Sequence, residues 1–148
     1  MSFVGSTATA KVVYRRATSN LKRCLALGGA KNHLIVMPDA DVEMASSNII
    51  ASMSGCAGQR CMAASVMVAV SKTDHIIERM VATMKKMVPG KDIGPVISAE
   101  AKARITKYID EAEAKGAKVL VDGRGVKIPG KEGGYFIGPT LKIGRAHV

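Results

Sequence analysis

One segment carries residue types suited to covalent chemistry: Gly55-Cys56-Ala57-Gly58-Gln59-Arg60-Cys61-Met62. The thiolate of a cysteine is a nucleophile, and a neighbouring cation favours the thiolate over the thiol. Arg60 precedes Cys61, although adjacency in sequence does not fix where its side chain points. Gly58 and its small neighbours would let a substrate and a cofactor approach the backbone closely. Against this stands the commoner fate of a cysteine, burial as a small apolar side chain. On local chemistry alone the structural role is preferred. No metal site is expected, because Cys56 and Cys61 lack a ligand spacing and no His pair lies near them.

The elements that would position this segment alternate in type. Residues 2–4 read as the end of a strand, and residues 7–19 as a helix with Thr7 as its cap. Residues 22–27 and 33–37 read as short strands around Gly28-Gly29. Asp39 and Asp41 open a helix whose Val42, Ala45, Ile49 and Met53 share a face. Residues 55–61 are a small-residue loop or helix end. Residues 64–70 read as a buried strand. Thr73 caps a helix carrying Ile76, Ile77, Met80, Val81 and Met84, ended by Pro89-Gly90. Residues 98–115 form a helix with Ile105, Tyr108, Ile109 and Ala112 inward and Gly116 as its stop. Residues 117–121 are a strand, and 122–134 a Gly-rich surface loop or hairpin. Helices alternating with strands predict an α/β fold.

Composition narrows the class. The chain has 148 residues, of which 47% are hydrophobic and 23% charged, as in a globular domain with a real core. Aromatics are 3% with no Trp, so the core must be aliphatic, with the nine Met as filler. The formal charge of +10 comes from 22 Lys and Arg against 12 Asp and Glu. The basic residues are scattered in pairs such as Arg15-Arg16 and Lys85-Lys86, without interleaved aromatics, so no nucleic-acid platform is expected. No apolar run approaches the ~20 residues a membrane helix needs. Three cysteines without a signal peptide argue for a reducing compartment.

Five motifs in order go further. Phe3-Val4-Gly5-Ser6-Thr7, the stretch from Leu25 through Gly28-Gly29-Ala30-Lys31-Asn32, Pro38-Asp39-Ala40-Asp41, Gly58-Gln59-Arg60-Cys61, and Gly134-Tyr135-Phe136 with Pro139-Thr140 resemble the signatures of the aldehyde dehydrogenase family. The resemblance runs over residues 2–141. Gly29-Ala30-Lys31-Asn32-His33 and Ala57-Gly58-Gln59-Arg60-Cys61-Met62 resemble its CoA-acylating branch, which acts on malonate and methylmalonate semialdehyde.

This resemblance implies that Cys61 is the nucleophile and forms a thioester with the substrate. It implies cofactor (NAD) contact at Gly5, Ser6 and Gly28, and a substrate carboxylate paired with Arg60, a role weighed evenly against a structural ion pair. Most of the family carries a general-base Glu where this chain has Ala26. Without that base, transfer of the acyl group to coenzyme A is expected in place of hydrolysis. Lys31 and Asn32 are expected to fix local structure. The Pro89-Gly90-Lys91-Asp92 connection is shorter than the family's usual loop.

By the same resemblance, residues 1–27 are the C-terminal edge of the NAD-binding domain and 28–142 part of the catalytic domain. Residues 143–148 depart from the family pattern, resemble a translated adapter read-through, and are read as a non-native tail. The chain opens in mid-strand and is read as a fragment. It lacks the family's oxyanion Asn and is expected to be inactive by itself. The parent enzyme is expected to be a homo-tetramer, cytoplasmic in a bacterium or in the mitochondrial matrix of a eukaryote. A hydrolytic aldehyde dehydrogenase, a non-enzymatic basic binding module and a truncated structural partner in an oligomer remain as alternatives.

Overall fold

A β-α-β unit begins the chain. Strand β1 (Ser2–Val4) leads into helix α1 (Thr7–Thr18), and strand β2 (Leu25–Leu27) returns parallel to β1 with Phe3 opposite Ala26. The computed structural model describes residues 1–144; residues 145–148, with His147 and most of the expected tail, lie outside them. Ile143, the first residue of that expected tail, pairs with Lys118 as a strand residue.

The chain divides into two compact units, residues 1–31 and 32–148, a few residues beyond the expected boundary after residue 27. In the first unit the cap of α1 is Ser6, not Thr7 as the sequence suggested. Its hydroxyl accepts from the Thr9 N–H at 3.4 Å. Thr7 instead reaches toward the end of β2, where its Oγ1 accepts from the Gly29 N–H at 3.0 Å. Only Ala10 and Ala17 are buried on α1, so this unit has a thin core of small side chains.

The second unit repeats the β-α-β theme. Strands β3 (His33–Val36) and β4 (Val66–Ala69) pair in parallel, connected through helix α2 (Val42–Ser54), which Asp41 caps by accepting from Met44 N–H at 2.7 Å. Helices α3 (Asp74–Met84) and α4 (Ala99–Ala114) follow, and strands β5 (Lys118–Val121) and β6 (Leu141–Ile143) pair antiparallel. The core joins Val36, Ile49, Ile50, Ile76, Met80, Met84 and Val121. Ile76, Met80 and Met84 recur every four residues along α3, at 0%, 1% and 1% exposure, so one stripe of that helix is fully dry.

Several sequence expectations change here. Helix α3 ends at Met84, short of Pro89-Gly90, because the 85–88 stretch tightens into turns such as Lys86 N–H to the Thr83 carbonyl at 3.0 Å. Tyr108 faces solvent, with Ala101 and Ile109 taking the buried positions of α4. Strand β4 is not buried on both faces: Val66 and Met67 are half-buried while Val68 and Ala69 are exposed. The Met residues split, since Met80 and Met84 fill the core but Met37, Met44 and Met62 are exposed.

Candidate active site

The first unit carries three of the expected site residues. Gly5 follows β1, and its N–H donates to the Leu27 carbonyl at 3.1 Å. The hydroxyl of Ser6 is engaged at the helix start, where it also lies 2.8 Å from Thr9 Oγ1. Gly28 passes so close to α1 that a Cβ there would lie 2.8 Å from Thr7 Oγ1 and 3.2 Å from Thr7 Cα. Thr7, Ala10, Lys11, Tyr14, Arg15, Ala26 and Gly28 line an open groove of about 250 Å³. Bare backbone at Gly28 and the methyl of Ala26 leave this groove room that larger side chains would take.

The second unit carries Cys61. Helix α2 stops at Ser54, where a Gly55 C-cap in extended backbone ends the α-helical run. The chain then makes a tight turn over Gly55–Gly58 in which Cys56 (φ 52°), Ala57 (φ 53°) and Gly58 (φ 73°) are all left-handed. Gly58 adopts this region without penalty, but Cys56 and Ala57 carry a Cβ and cost about 1 kcal/mol or more each. Such backbone persists only where surrounding contacts hold it.

Two side-chain amides brace the segment from Cys56 to Ala63. Asn32 Nδ2 donates to the Cys61 carbonyl at 2.7 Å and to the Ala63 carbonyl at 3.1 Å, clamping the residue pair that flanks Met62. Gln59 grips the upstream side, with Nε2 donating to the Cys56 carbonyl at 2.8 Å. Ser52 Oγ also accepts from the Ala64 N–H at 3.1 Å, tying the chain after Cys61 back to α2. The structural expectation for Asn32 is met, and its contact with the Cys61 carbonyl places it at the site. Gln59 and Ser52 were not singled out from the sequence. Gln59 lay inside the nucleophile motif, but polar type alone does not show which backbone groups it reaches.

Cys61 itself is exposed, as is Cys56, so the thiol is open to reagents rather than packed as a small apolar group. The buried-cysteine role that local chemistry favoured does not hold in this chain. Arg60 folds back over Gly55 onto the end of α2: its Nη2 donates to the Ala51 carbonyl at 3.2 Å. A Cβ on Gly55 would collide with that guanidinium, so the glycine makes its seat possible. A cation there matches the negative end of the helix dipole. Among the described residues no group of His, Cys, Asp or Glu is arranged to hold a metal ion, and no helix is long and apolar enough to cross a membrane.

Away from Cys61, Arg124 binds three carboxylates, Asp110 and Glu113 on α4 and Asp122 after β5, at 2.5, 2.8 and 2.6 Å. The Arg124 side chain and N–H hold the Asp122 carboxyl below its usual range. The cluster fastens the end of β5 to α4 and is structural.

The family model described as "Aldehyde dehydrogenase family" matches residues 1–146. The malonate-semialdehyde dehydrogenase of Pseudomonas aeruginosa is 44% identical over 95% of this chain and 30% of its own length. An acylating methylmalonate-semialdehyde/malonate-semialdehyde dehydrogenase of Bos taurus mitochondria is 40% identical over 95% of this chain and 27% of its own. A methylmalonate-semialdehyde dehydrogenase structure from Oceanimonas doudoroffii superposes with a TM-score of 0.88 at 46% identity. A Sinorhizobium meliloti 1021 candidate for the same activity, solved in complex with NAD, superposes at 0.89 and 44% identity. Each structural match covers 95% of this chain and 30% of the other. The chain thus spans about a third of the length of these relatives, and it belongs to the aldehyde dehydrogenase family.

Proposed function

We propose that this chain supplies the nucleophile and part of the cofactor contact of an NAD-dependent, CoA-acylating dehydrogenase of malonate or methylmalonate semialdehyde. The observation that carries the reading is an exposed thiol, Cys61, three residues beyond a strained turn, in a segment held upstream by Gln59 and downstream by Asn32. Its relatives' names point to the substrate class.

In this mechanism the Cys61 thiolate adds to the aldehyde carbon, giving a thiohemiacetal. The C–H bond of that carbon breaks with its electron pair, the aldehyde is oxidised, and a thioester remains on Cys61. NAD, when bound, is the hydride acceptor. The substrate carboxylate leaves as CO2 and a proton replaces it. The acyl group then passes to the thiol of coenzyme A, and Cys61 is regenerated. Ala26 fits this last step, since it offers no carboxylate to activate water.

The groove of the first unit fits one end of a dinucleotide. Gly5, Ser6 and Gly28 would contact it, and Lys11 and Arg15 on the groove wall complement phosphate charge. Arg60 is assigned to the substrate carboxylate. In the present conformation it caps α2, so that role requires the guanidinium to leave the Ala51 carbonyl. The parent enzyme is proposed to be a homo-tetramer.

A segment exchange tests the reading. Residues 2–142 replace the matching stretch of the Pseudomonas aeruginosa relative, and NADH formation from malonate semialdehyde is followed with and without coenzyme A. CoA-dependent turnover, lost by at least about 10³-fold in Cys61→Ala, is the expected result. Equal turnover without coenzyme A would favour the hydrolytic reading. Turnover that survives Cys61→Ala would remove the nucleophile.

A further inference from the structure

The turn before Cys61 is tied through Gln59 to a segment far from it in sequence. Gln59 Oε1 accepts from the Ile97 N–H at 2.8 Å, and its Nε2 donates to the Pro95 carbonyl at 3.3 Å as well as to Cys56. All three partners are backbone groups. The Ile97 N–H can only donate and the two carbonyls can only accept, so the amide fits in one orientation. Residues 95–97 are themselves anchored. Val96 is 3% exposed and donates its N–H to the Tyr135 carbonyl at 2.9 Å, and Ser98 caps α4 by accepting from Ala101 N–H at 3.2 Å.

We propose that Gln59 is a positioning residue that couples residues 95–97 to the placement of the Cys61 thiol; this rests on the reading of Cys61 as the nucleophile. Cys56 and Ala57 hold left-handed backbone against their own Cβ atoms, and Gln59 binds the carbonyl of the first of them. Asn32 holds the chain only from Cys61 onward. Gln59, two residues before the thiol, therefore transmits the position of an anchored segment to the left-handed turn at Cys56. No shorter or charged side chain repeats this. Asn lacks one methylene of reach, and Glu would keep the Ile97 bond but set a carboxylate oxygen against two carbonyls.

Competitive alkylation of the 148-residue chain with limiting iodoacetamide, read by peptide mass mapping, gives the ratio of Cys61 to Cys24 labelling. Gln59→Ala and Gln59→Glu are expected to change that ratio by at least about threefold. Ile97→Pro, which removes the N–H facing Oε1, is expected to move it in the same direction. The Gln59→Ala/Ile97→Pro double variant should move it no further than Gln59→Ala alone, because both changes cut one link; a general loosening would add. Far-UV circular dichroism checks that each variant folds, and if Gln59→Ala does not, Gln59→Met, which keeps the size but cuts the Ile97 bond, carries the comparison with Ile97→Pro. A ratio unchanged in the folded Gln59 variants, or additive effects in the double variant, overturns the proposal. Failure of Cys61 to take an acyl group from substrate would instead remove the nucleophile reading, whichever way this ratio falls.

Discussion

Replacing Asn32 by Ala removes both donor contacts that hold the downstream side of the Cys61 turn, at 2.7 and 3.1 Å. Each such bond is worth about 0.5–1.5 kcal/mol net, so the loss should be about 2 kcal/mol. The backbone of residue 32 keeps its own role, because its carbonyl still accepts from the Ser65 and Val66 N–H groups at 3.1 Å each. The parallel β3–β4 pairing should therefore survive and the damage stay local. With a urea slope of about 1–3 kcal/mol/M, the unfolding midpoint should fall by roughly 1 M at constant slope. Asn32→Asp should be at least as damaging at neutral pH, since its carboxylate would face two carbonyl oxygens. Urea unfolding followed by circular dichroism measures both. A midpoint that moves by less than about 0.2 M in both variants would refute the clamp.

Met80→Ala, in the dry stripe of α3 at 1% exposure, should lower stability by about 2–5 kcal/mol, whereas Met62→Ala, at 83% exposure, should stay within about 0.5 kcal/mol by the same unfolding assay. The Arg124 cluster sets an acid limit. Asp122 binds protons less readily folded than unfolded, so its contribution is present above the ordinary carboxylate range and is lost as pH falls through its lowered value. Urea midpoints should accordingly fall on acidification below about pH 4 in the native sequence, and this fall should be smaller in Asp122→Asn. Gly123→Ala should destabilise markedly, because its Cβ would run into the Gly138 carbonyl, and thermal unfolding should show it.

Much of the architecture was legible because local signals agreed with it. Ser98 and Asp41 cap their helices, and the four-residue recurrence of Ile76, Met80 and Met84 marks the core stripe of α3. The errors came where tertiary context decides. Tyr108 falls on the expected inner face of α4, yet the small Ala101 is buried instead. Thr7 resembles a cap in sequence, but Ser6 takes that place and frees Thr7 to bind the Gly29 N–H. The ordered motifs single out Cys61, whereas the groups that hold its segment are not legible in the sequence. Asn32 and Gln59 act on backbone groups roughly 30 to 40 residues away, and no local pattern encodes such partners. Arg60 shows the same limit: its place next to Cys61 does not reveal that its guanidinium reaches the Ala51 carbonyl on α2.

A nucleophilic Cys61 must become covalently acylated during turnover. The segment-exchange protein, incubated with malonate semialdehyde and NAD without coenzyme A and quenched in acid, should yield one acylated peptide containing Cys61. Hydroxylamine should release the acyl group, coenzyme A added before the quench should discharge it, and Cys61→Ala should abolish it. NADH formation with the acyl group on another residue, or with no covalent adduct at all, would exclude Cys61 as the nucleophile.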